Sequence, residues 1–385
     1  ANTVKTLAKI DCSIPTHLVH RQLDDTPVVA PRSSNWSSEF YNSYKKLCEK
    51  INLPLAPECP NFDKSYGPTN KGKVLGIWFD STTMCWQLPS DKKEKTVSAI
   101  EETLSNHEFN TKQIQSLLGR LNFISTMCPF MTTFKYNLNA SLSSLLKNFK
   151  TFNNQKVKND LKIWLSFLHS PNAWIPICPR KNNPPLATFS FTTDAAGCPN
   201  NKLWKENIGC GLIGLDADNN TILGYQMWWP KTFITTKTDN RGIRFGNKTT
   251  TLEMISILLV FILKPELIKN KHIRIFTDNI ACVYGLTDGY VKKDEYASIV
   301  IRAIVLIGAF LETVVHIEHA PRRSSWETTT ADNLTRESTT SFLEKQILAR
   351  YNQLEVPVVL TNWLQNPTDD WELANNLLKS VMNKN

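Results

Sequence analysis

The sequence predicts an α/β fold for its second half, with a mixed five-stranded sheet and helices, and a mainly helical first half that begins with short strands. After about residue 186, three strand patterns in a row are followed by alternating helix and strand patterns, which is typical of a mixed sheet covered by helices. Before that point, prolines recur between Pro171 and Pro185, as in a linker. The sequence therefore predicts separate parts on either side of this linker.

The first half predicts short β elements and then helices. Apolar runs on either side of Asp24 and Asp25 indicate a β-hairpin with both acids at its tip. Beyond it, apolar residues recur at helical spacing in several segments, and two strand-like runs interrupt them. We expect helices over 36–51, 96–104, 111–121, 142–149 and 157–168, and strands over 74–79 and 84–88.

The sequence of the second half predicts the strands of the five-stranded sheet. Its first three strands follow one another closely, and a turn over 216–220 joins the last two of them, which favours antiparallel pairing. We expect strands over 187–193, 208–215, 222–229, 272–277 and 314–319, helices over 250–263, 280–286, 295–310 and 329–348, and one or two helices after residue 351.

The composition is that of an ordinary globular protein of 385 residues, with 41% hydrophobic and 21% charged residues. The net charge of +9 slightly favours a polyanionic partner. No apolar stretch is long enough to span a membrane and no signal peptide is visible, so we expect an intracellular protein with no membrane partner. The nine cysteines lack regular spacing and are expected to be thiols. His316 and His319 lie on a predicted strand, where a spacing of three places them on opposite faces and argues against a zinc site.

Four acids of the second half are candidates for chemistry. Asp194 and Asp278 each end a predicted strand, where a rigid backbone can hold a carboxylate against a ligand. Glu253 lies near the start of an otherwise apolar helix, and a buried unpaired carboxylate costs several kcal/mol. Asp332 falls early in the last predicted helix. Taken singly, Asp194 and Asp278 could start turns, and Asp332 could be an acid favoured by the helix dipole.

If the four acids gather at one end of the sheet, their mutual repulsion calls for divalent cations. Oxygen ligands select Mg²⁺, and Mn²⁺ is the alternative. Two such ions about 4 Å apart activate water and stabilise the leaving oxygen in phosphodiester cleavage. The acids therefore predict a two-metal centre.

The segments around these acids resemble the four blocks of retroelement ribonucleases H, and the last two are especially similar to gypsy-type and DIRS-type retrotransposons. The resemblance covers roughly Pro185–Arg336, and the acids follow in the matching order Asp, Glu, Asp, Asp. It implies that Asp194, Glu253, Asp278 and Asp332 are the catalytic metal ligands and that the substrate is an RNA–DNA hybrid. It also places His319 near the site as a possible proton carrier, although an ordinary strand-end histidine is the alternative. The matching blocks are TTDAAG from Thr192, Leu252-Glu253, TDN from Thr277 and ADNLTR from Ala331.

The first half resembles part of a reverse transcriptase of the same retrotransposon group. Leu23-Asp24-Asp25 looks like the metal-binding palm hairpin, in which Asp24 and Asp25 would hold the polymerase metals, although Gln22 stands where that family has tyrosine. A solvated turn is the alternative interpretation of these two acids. Further similar segments are Leu53–Glu58, Lys73–Phe79 and Ile114–Phe123.

No segment of the chain resembles the fingers or the palm strand that carries the third polymerase carboxylate. We therefore expect that this polypeptide alone does not synthesise DNA, and a second chain could supply the missing parts. The expected organisation is a partial palm over 1–89, a thumb over 90–150, a connection over 151–185, a ribonuclease H domain over 186–348 and a helical tail over 349–385.

Basic residues are expected to contact the nucleic-acid backbone in a salt-sensitive and sequence-independent way. Most of them lie in a long polar segment that starts and ends near the predicted metals, and others begin the thumb. A flexible solvated insertion is the alternative for the long segment. The candidates are Lys231, Lys237, Arg241, Arg244 and Lys248 in that segment, and Lys92 and Lys93 in the thumb.

These features together favour a ribonuclease H that belongs to a retroelement-type reverse transcriptase. The first alternative is a domesticated, non-catalytic subunit of a ribonucleoprotein. A second alternative is an integrase or transposase, which shares the fold but ends its acid set with a Glu, whereas this chain has Asp332.

Overall fold

The structure is a computed structural model, and it describes residues 35–50, 69–105, 111–146, 154–169, 175–176, 187–198, 207–351, 354–368 and 372–383. The chain divides into two compact units. The first comprises Ala1–Glu102 and Ser166–Ile177, and the second comprises Thr103–Leu165 and Cys178–Asn385. The predicted hairpin with Asp24 and Asp25 lies outside the described residues. No helix among the described ranges is both long and apolar enough to cross a membrane.

The first unit contains a small antiparallel sheet. Its strands β1 (Lys71–Val74), β2 (Ile77–Asp80), β3 (Cys85–Gln87) and β4 (Ile175–Pro176) pair in that order. The single strand predicted over 74–79 is wrong, because Leu75 and Gly76 both have positive φ and turn the chain between β1 and β2. Helix α1 (Trp36–Lys50) matches its prediction, and α2 (Ser90–Ser105) begins earlier than predicted.

The second unit begins with helices whose apolar spacing was visible in the sequence. They are α3 (Thr111–Ser125), a 3₁₀ helix (Pro129–Lys135), α4 (Tyr136–Leu146) and α5 (Asn154–His169). Leu117, Leu121 and Trp164 are fully buried, and the Trp164 indole donates a hydrogen bond to the Phe134 carbonyl oxygen at 3.2 Å. Segment 103–165 is therefore a packed part of the second unit.

A mixed five-stranded sheet forms the centre of the second unit, as predicted. Its strands are β5 (Phe189–Ala195), β6 (Gly209–Asp216), β7 (Thr221–Trp228), β8 (His272–Thr277) and β9 (Val314–His319). Their spatial order is β7-β6-β5-β8-β9. The first three pair antiparallel, while β8 runs parallel to β5 and β9 parallel to β8.

The long apolar helix α7 (Thr249–Ile262) lies against β5 and β6, and α10 (Glu295–Phe310) packs on it. Every residue of α7 from Thr251 to Ile262 is buried. The other helices that follow the sheet strands are α6 (Lys231–Thr235), α8 (Pro265–Ile268), α9 (Ile280–Asp288) and α11 (Trp326–Asn333).

The single helix predicted over 329–348 is wrong. Helix α11 ends at Asn333, and a new helix, α12, covers Phe342–Tyr351. Between them the backbone joins the sheet at the start of β6, because the Gly209 amide donates to the Thr335 carbonyl at 2.8 Å. The side chain of Thr339 donates to the Asn333 carbonyl at 2.8 Å, which satisfies a free helix end.

The C-terminal tail belongs to the main core. Helices α13 (Val358–Gln365) and α14 (Glu372–Met382) bury Leu360, Trp363 and Leu377 in the same apolar cluster as α7 and α10. Helix α14 packs on α10. This tail therefore completes the hydrophobic core of the second unit.

Candidate metal centre

Two of the predicted acids meet because β5 and β8 are parallel neighbours. Thr192 of β5 pairs with Phe276 of β8, so both strands end at the same edge of the sheet. Asp194 lies near the end of β5, and Asp278 follows β8 directly. The Asn279 side chain caps α9 by accepting a hydrogen bond from the Ala281 amide at 3.0 Å, which fixes the turn after Asp278.

The third acid reaches this edge from the central helix. Glu253 lies in the first turns of α7, where its neighbours are buried against β5 and β6. The residue is 4% exposed, although the helix from Leu252 to Ile262 is otherwise apolar except for Ser256. A charged group at this position opposes folding unless a cation compensates it.

Asp194, Glu253 and Asp278 form one cluster. Each offers a carboxylate oxygen that lies within 4.8 Å of the other two. Oδ2 of Asp194 and Oε2 of Glu253 are buried, and among the described residues no N–H group donates a hydrogen bond to either, although the two carboxyls can share a proton with each other. Buried polar atoms are nearly always satisfied in folded proteins, so these two oxygens suit either a shared proton or a bound cation.

The titration behaviour of the two buried acids agrees with this interpretation. Burial, and then the charge of Asp278, raise the pKa of Asp194 to about 6. Burial, followed by the charges of Asp194 and Asp278, raises the pKa of Glu253 well above its ordinary value. The cluster is therefore short of positive charge.

Asp332, the fourth predicted ligand, is near the cluster but is held by arginines. Its carboxylate accepts hydrogen bonds from Arg322 Nε at 2.9 Å and Arg323 Nε at 2.8 Å, and Arg336 lies 3.6 Å away. Burial tends to raise the pKa of Asp332, but the hydrogen bonds from Arg322 and Arg323 outweigh it and hold that pKa below its usual value. Asp332 is 1% exposed, so it is a buried anion with several partners.

Arg322 also approaches two members of the cluster. Its Nη2 lies 3.9 Å from Oδ2 of Asp194, and its Nε lies 4.0 Å from Oδ2 of Asp278. Arg322 was not among the residues that the sequence pattern predicted for the site. The available signal was the pair Arg322-Arg323 between the last strand and the helix that carries Asp332, but their partners depend on the tertiary fold.

A glycine allows the helix of Asp332 to approach the sheet. Gly211 pairs with Asp194 across β5 and β6, and a Cβ atom there would lie 2.4 Å from the Ala331 carbonyl oxygen. Helix α11 can therefore rest directly on the backbone of β6. This close contact brings Asp332 toward the edge where Asp194 lies.

His319 is exposed at the end of β9, and its Nε2 lies 3.1 Å from the carbonyl oxygen of Asp278. Its contact is thus with the backbone beside the cluster. His316, by contrast, contacts Glu318 at 3.0 Å.

The basic segment after β7 is more ordered than a solvated insertion. Phe233 and Phe245 anchor it in the core, and Thr238 and Arg244 form an antiparallel bridge. Lys248, which the sequence predicted as a nucleic-acid contact, lies inside the protein: its side chain is 5% exposed, and its amino group contacts Asp239 at 3.1 Å and Asp294 at 3.2 Å. It therefore has an internal structural role instead of a surface one.

The other basic candidates remain at the surface. Lys231 is exposed, and the Lys237 amino group donates to the Asn366 side-chain oxygen at 2.9 Å. Arg241 is half-exposed and contacts Asp239 at 3.3 Å. Arg244 is partly buried. Lys92 and Lys93, both partly exposed, belong to the first unit and are described separately from the metal cluster.

No protein family and no curated protein sequence matches the chain. Among solved structures, it is similar to LC11-RNase H1 isolated from compost by a metagenomic approach, with 15% identity and a TM-score of 0.29 over 39% of this chain and 93% of that one. It is also similar to the N-terminal RNase H domain of Rv2228c from Mycobacterium tuberculosis, solved as a fusion with maltose-binding protein, with 13% identity and a TM-score of 0.27 over 38% of this chain and 94% of that one.

The donor set of the cluster fits a hard divalent cation. It consists of carboxylate oxygens alone, the ligands that Mg²⁺ and Mn²⁺ prefer. The two unpartnered buried oxygens supply donor atoms that no other described group uses. Asp194, Glu253 and Asp278 could therefore hold such an ion.

Proposed function

We propose that the chain is a metal-dependent nuclease of the ribonuclease H type, which hydrolyses the RNA strand of RNA–DNA hybrids and leaves a 3′-hydroxyl. The observation that carries this proposal is the convergence of Asp194, Glu253 and Asp278, in which Asp194 and Glu253 each have a buried oxygen that accepts no hydrogen bond from an N–H group of the described residues. The choice of a hybrid substrate rests on the resemblance of the four sequence blocks. Mg²⁺ is the proposed cofactor, as two ions, and Mn²⁺ is the alternative.

Each residue of the cluster would have a defined part. Asp194 and Asp278, on adjacent strand ends, would hold one cation between them, and Glu253 would approach it from the helix side. Bound divalent cations supply the charge that lowers the pKa of an attacking water and stabilises the leaving oxygen. Asp332 would complete the set, and His319 would stand beside the Asp278 backbone as an auxiliary group.

The hybrid would bind through its shape and its phosphates. Lys231, Lys237, Arg241 and Arg244 are the proposed phosphate contacts near the metals, and Lys92 and Lys93 the contacts in the first unit. Such contacts bind the negatively charged phosphates of the nucleic-acid backbone, while the 2′-hydroxyls distinguish the RNA strand from the DNA strand. We therefore expect hybrid affinity to fall steeply with salt and to depend little on sequence.

We also propose that the nuclease belongs to a retroelement-type reverse transcriptase. In this proposal the small sheet of the first unit derives from a palm and the helices after residue 90 from a thumb and connection. Asp24 and Asp25 would be a remnant of the polymerase metal site.

A non-catalytic subunit of a ribonucleoprotein is the second candidate function. It is favoured by one observation: Asp332 is neutralised by arginines, so this side of the centre carries positive charge without a metal. In that case the fold would bind a nucleic acid and leave it intact.

The deciding experiment is incubation of the purified chain with an RNA–DNA hybrid labelled on the RNA strand, with and without MgCl₂. We expect Mg²⁺-dependent cleavage that leaves 3′-hydroxyl ends, with RNA duplexes and DNA duplexes intact. Asp278→Asn should reduce the rate by a factor of about 10³ or more, because it removes one metal ligand. The matched control is Asp218→Asn, which makes the same change at an exposed acid of the β6–β7 turn and should cleave normally. Intact hybrid in the wild-type reaction with saturating Mg²⁺ or Mn²⁺ would support the non-catalytic candidate.

A further inference from the structure

Arg322 lies among three of the four acids of the site, Asp194, Asp278 and Asp332. It belongs to the turn between β9 and α11, and its side chain is 50% exposed. The guanidinium hydrogen-bonds to Asp332 through Nε and Nη2. The same guanidinium lies 3.9 Å from a carboxylate oxygen of Asp194 and 4.0 Å from one of Asp278.

The four acids, Asp194, Glu253, Asp278 and Asp332, form a group whose Asp332 side and Glu253 side differ in how their negative charge is neutralised. On the Asp332 side, Arg322 and Arg323 contact the carboxylate directly. On the Glu253 side, no N–H group of a described residue donates a hydrogen bond to the buried Oε2 of Glu253. Asp194 lies between the two sides, with its Oδ2 3.9 Å from Arg322 Nη2. A protein cation therefore neutralises the Asp332 side, while Glu253 has a buried donor atom without one.

We propose that Arg322 is a resident counter-ion that competes with a divalent cation for Asp332, Asp194 and Asp278, and that it leaves when a metal binds on that side. This inference rests on the proposed nuclease function for its purpose, but its test concerns metal binding. In the metal-free chain, Arg322 limits the repulsion among three carboxylates. With metal bound on both sides, the guanidinium is released toward solvent.

The position of Arg322 allows this exchange. Half of its side chain is exposed, so it can move outward without opening the core. Asp332 would keep Arg323 as a partner at 2.8 Å and Arg336 at 3.6 Å, so its carboxylate would not be left alone. Within the described part of the chain, Arg323 and Arg336 form ion pairs with Asp332 and with neither Asp194 nor Asp278, so they serve as partners of Asp332 in this group of acids.

The test is titration of the full metal-free chain with MnCl₂, followed by calorimetry and by the electron paramagnetic resonance signal of free Mn²⁺. We expect the wild-type chain to bind one ion more tightly than a second. Arg322→Gln should bind the second ion about tenfold more tightly or better, because an opposing charge of this kind changes binding by an order of magnitude. Arg323→Gln is the matched control: it removes an equal charge from Asp332 but none from Asp194 or Asp278, and its second affinity should change much less.

Thermal unfolding supplies an independent measurement. Without metal, Arg322→Gln should unfold at a lower temperature than the wild type, because three carboxylates lose their shared cation. Saturating MnCl₂ should raise its midpoint more than it raises that of the wild type. If Arg322→Gln does not fold, Arg322→Lys provides the same comparison, since an ammonium cannot span three carboxylates and should give an intermediate second affinity.

Second-ion affinities of Arg322→Gln or Arg322→Lys within twofold of the wild type would overturn the proposal. An Arg323→Gln variant whose affinity for the second ion rises as much as that of Arg322→Gln would also overturn it. Hybrid cleavage is measured separately on the same samples. Absence of cleavage together with the expected shift in Mn²⁺ binding would refute the nuclease function and leave the role of Arg322 standing.

Discussion

Glu253 shows how one residue of this site opposes the fold that carries it. The residue is almost wholly buried in a mainly apolar helix, and no N–H group in the part of the chain that the structure describes donates a hydrogen bond to its Oε2. Burial and the charges of Asp194 and Asp278 raise its pKa well above the usual value. The metal-free chain must therefore either protonate this carboxyl or tolerate a buried charge, and both alternatives cost free energy.

Glu253→Gln should stabilise the metal-free chain while it removes metal binding. The amide is neutral at every pH, and its NH₂ can donate to the unpartnered Oδ2 of Asp194. We expect a higher midpoint of thermal unfolding than in the metal-free wild type, and no further rise when MgCl₂ is added. Differential scanning calorimetry with and without MgCl₂ measures both effects. A lower metal-free midpoint for the variant would contradict the assignment of Glu253 as a ligand tolerated at the expense of stability.

Asp194 should make the metal-free chain less stable as the pH rises. Its pKa is about 6 in the folded state and near 3.8 when unfolded, so between these values the folded chain binds the additional proton. The unfolding free energy contributed by this group is therefore greatest below about pH 4 and falls, by on the order of 2–3 kcal/mol, as the pH passes 6. Urea unfolding from pH 4 to 8 in EDTA measures this trend. Asp194→Asn should flatten the pH dependence of the unfolding free energy, and saturating MgCl₂ should also reduce it because a cation replaces the proton. An unchanged pH dependence in both cases would refute the assignment of Asp194 as a metal ligand with a raised pKa.

The sequence identified the acids of the site but not their cationic partners. Asp194 and Asp278 were recognisable because a strand end next to a turn is a local feature. Arg322 and Lys248 were not recognised correctly, because their roles depend on carboxylates that are distant in the chain: Asp194 for Arg322, and Asp294 for Lys248. A basic residue in the sequence indicates charge, whereas its partner is decided by the fold.

At the scale of secondary structure, the contact between β6 and α11 determines where Asp332 lies. Gly211 provides this contact, because any larger residue would meet the backbone of Ala331 and the Cβ of Leu334. Both neighbours belong to the end of α11 or the residue directly after it, so neither can move without moving Asp332.

Gly211→Ala should therefore destabilise the chain and weaken metal binding together. The added methyl would lie 2.4 Å from the Ala331 oxygen, and overpacking of this kind costs about 1–3 kcal/mol. Gly119→Ala in α3 is the control, since nothing lies within 4 Å of its Cβ; the helix should gain about 0.5–1 kcal/mol. Urea unfolding and Mn²⁺ titration of both variants measure the two effects. Equal stability of the two variants would show that α11 does not rest on β6 as described.

Strands with a clear apolar pattern were the most accurate predictions at this scale. β8 and β9 have the predicted bounds, because apolar residues alternate with polar ones in both, as in HIRIFT and VVHIEH. The helix predicted over 329–348 was wrong because threonine hydroxyls compete for the backbone after Asn333, and the chain bonds to the start of β6 instead. Long-range pairing of this kind leaves little trace in the local sequence.

At the scale of the whole molecule, the helices before the predicted linker join the sheet in one compact unit. Residues 103–165 group with 178–385, although the proline-rich segment suggested a separation there. The predicted domain boundaries stay predictions, but the packing is explicit. Asp160 of α5 and Arg302 of α10 form an ion pair at 3.3 Å, and Asn137 of α4 donates to the same carboxylate at 2.8 Å. The sequence could not identify this pair, because its members are far apart in the chain and each looks like an ordinary surface charge.

Asp160→Asn should be among the most destabilising single changes in the unit. It would leave the guanidinium of Arg302 buried without its anion, which typically costs about 3–5 kcal/mol. Glu295→Gln is the matched control, because Glu295 pairs with Lys156 between the same two helices but is exposed, and a surface pair contributes less than about 1 kcal/mol. The double variant Asp160→Leu/Arg302→Met should recover most of the lost stability, since a packed apolar pair carries no desolvation cost. Urea unfolding of the wild type, the two single variants and the double variant measures these free energies. If Asp160→Asn and Glu295→Gln lose the same free energy of unfolding, the packing of α5 on α10 does not depend on the Asp160–Arg302 ion pair.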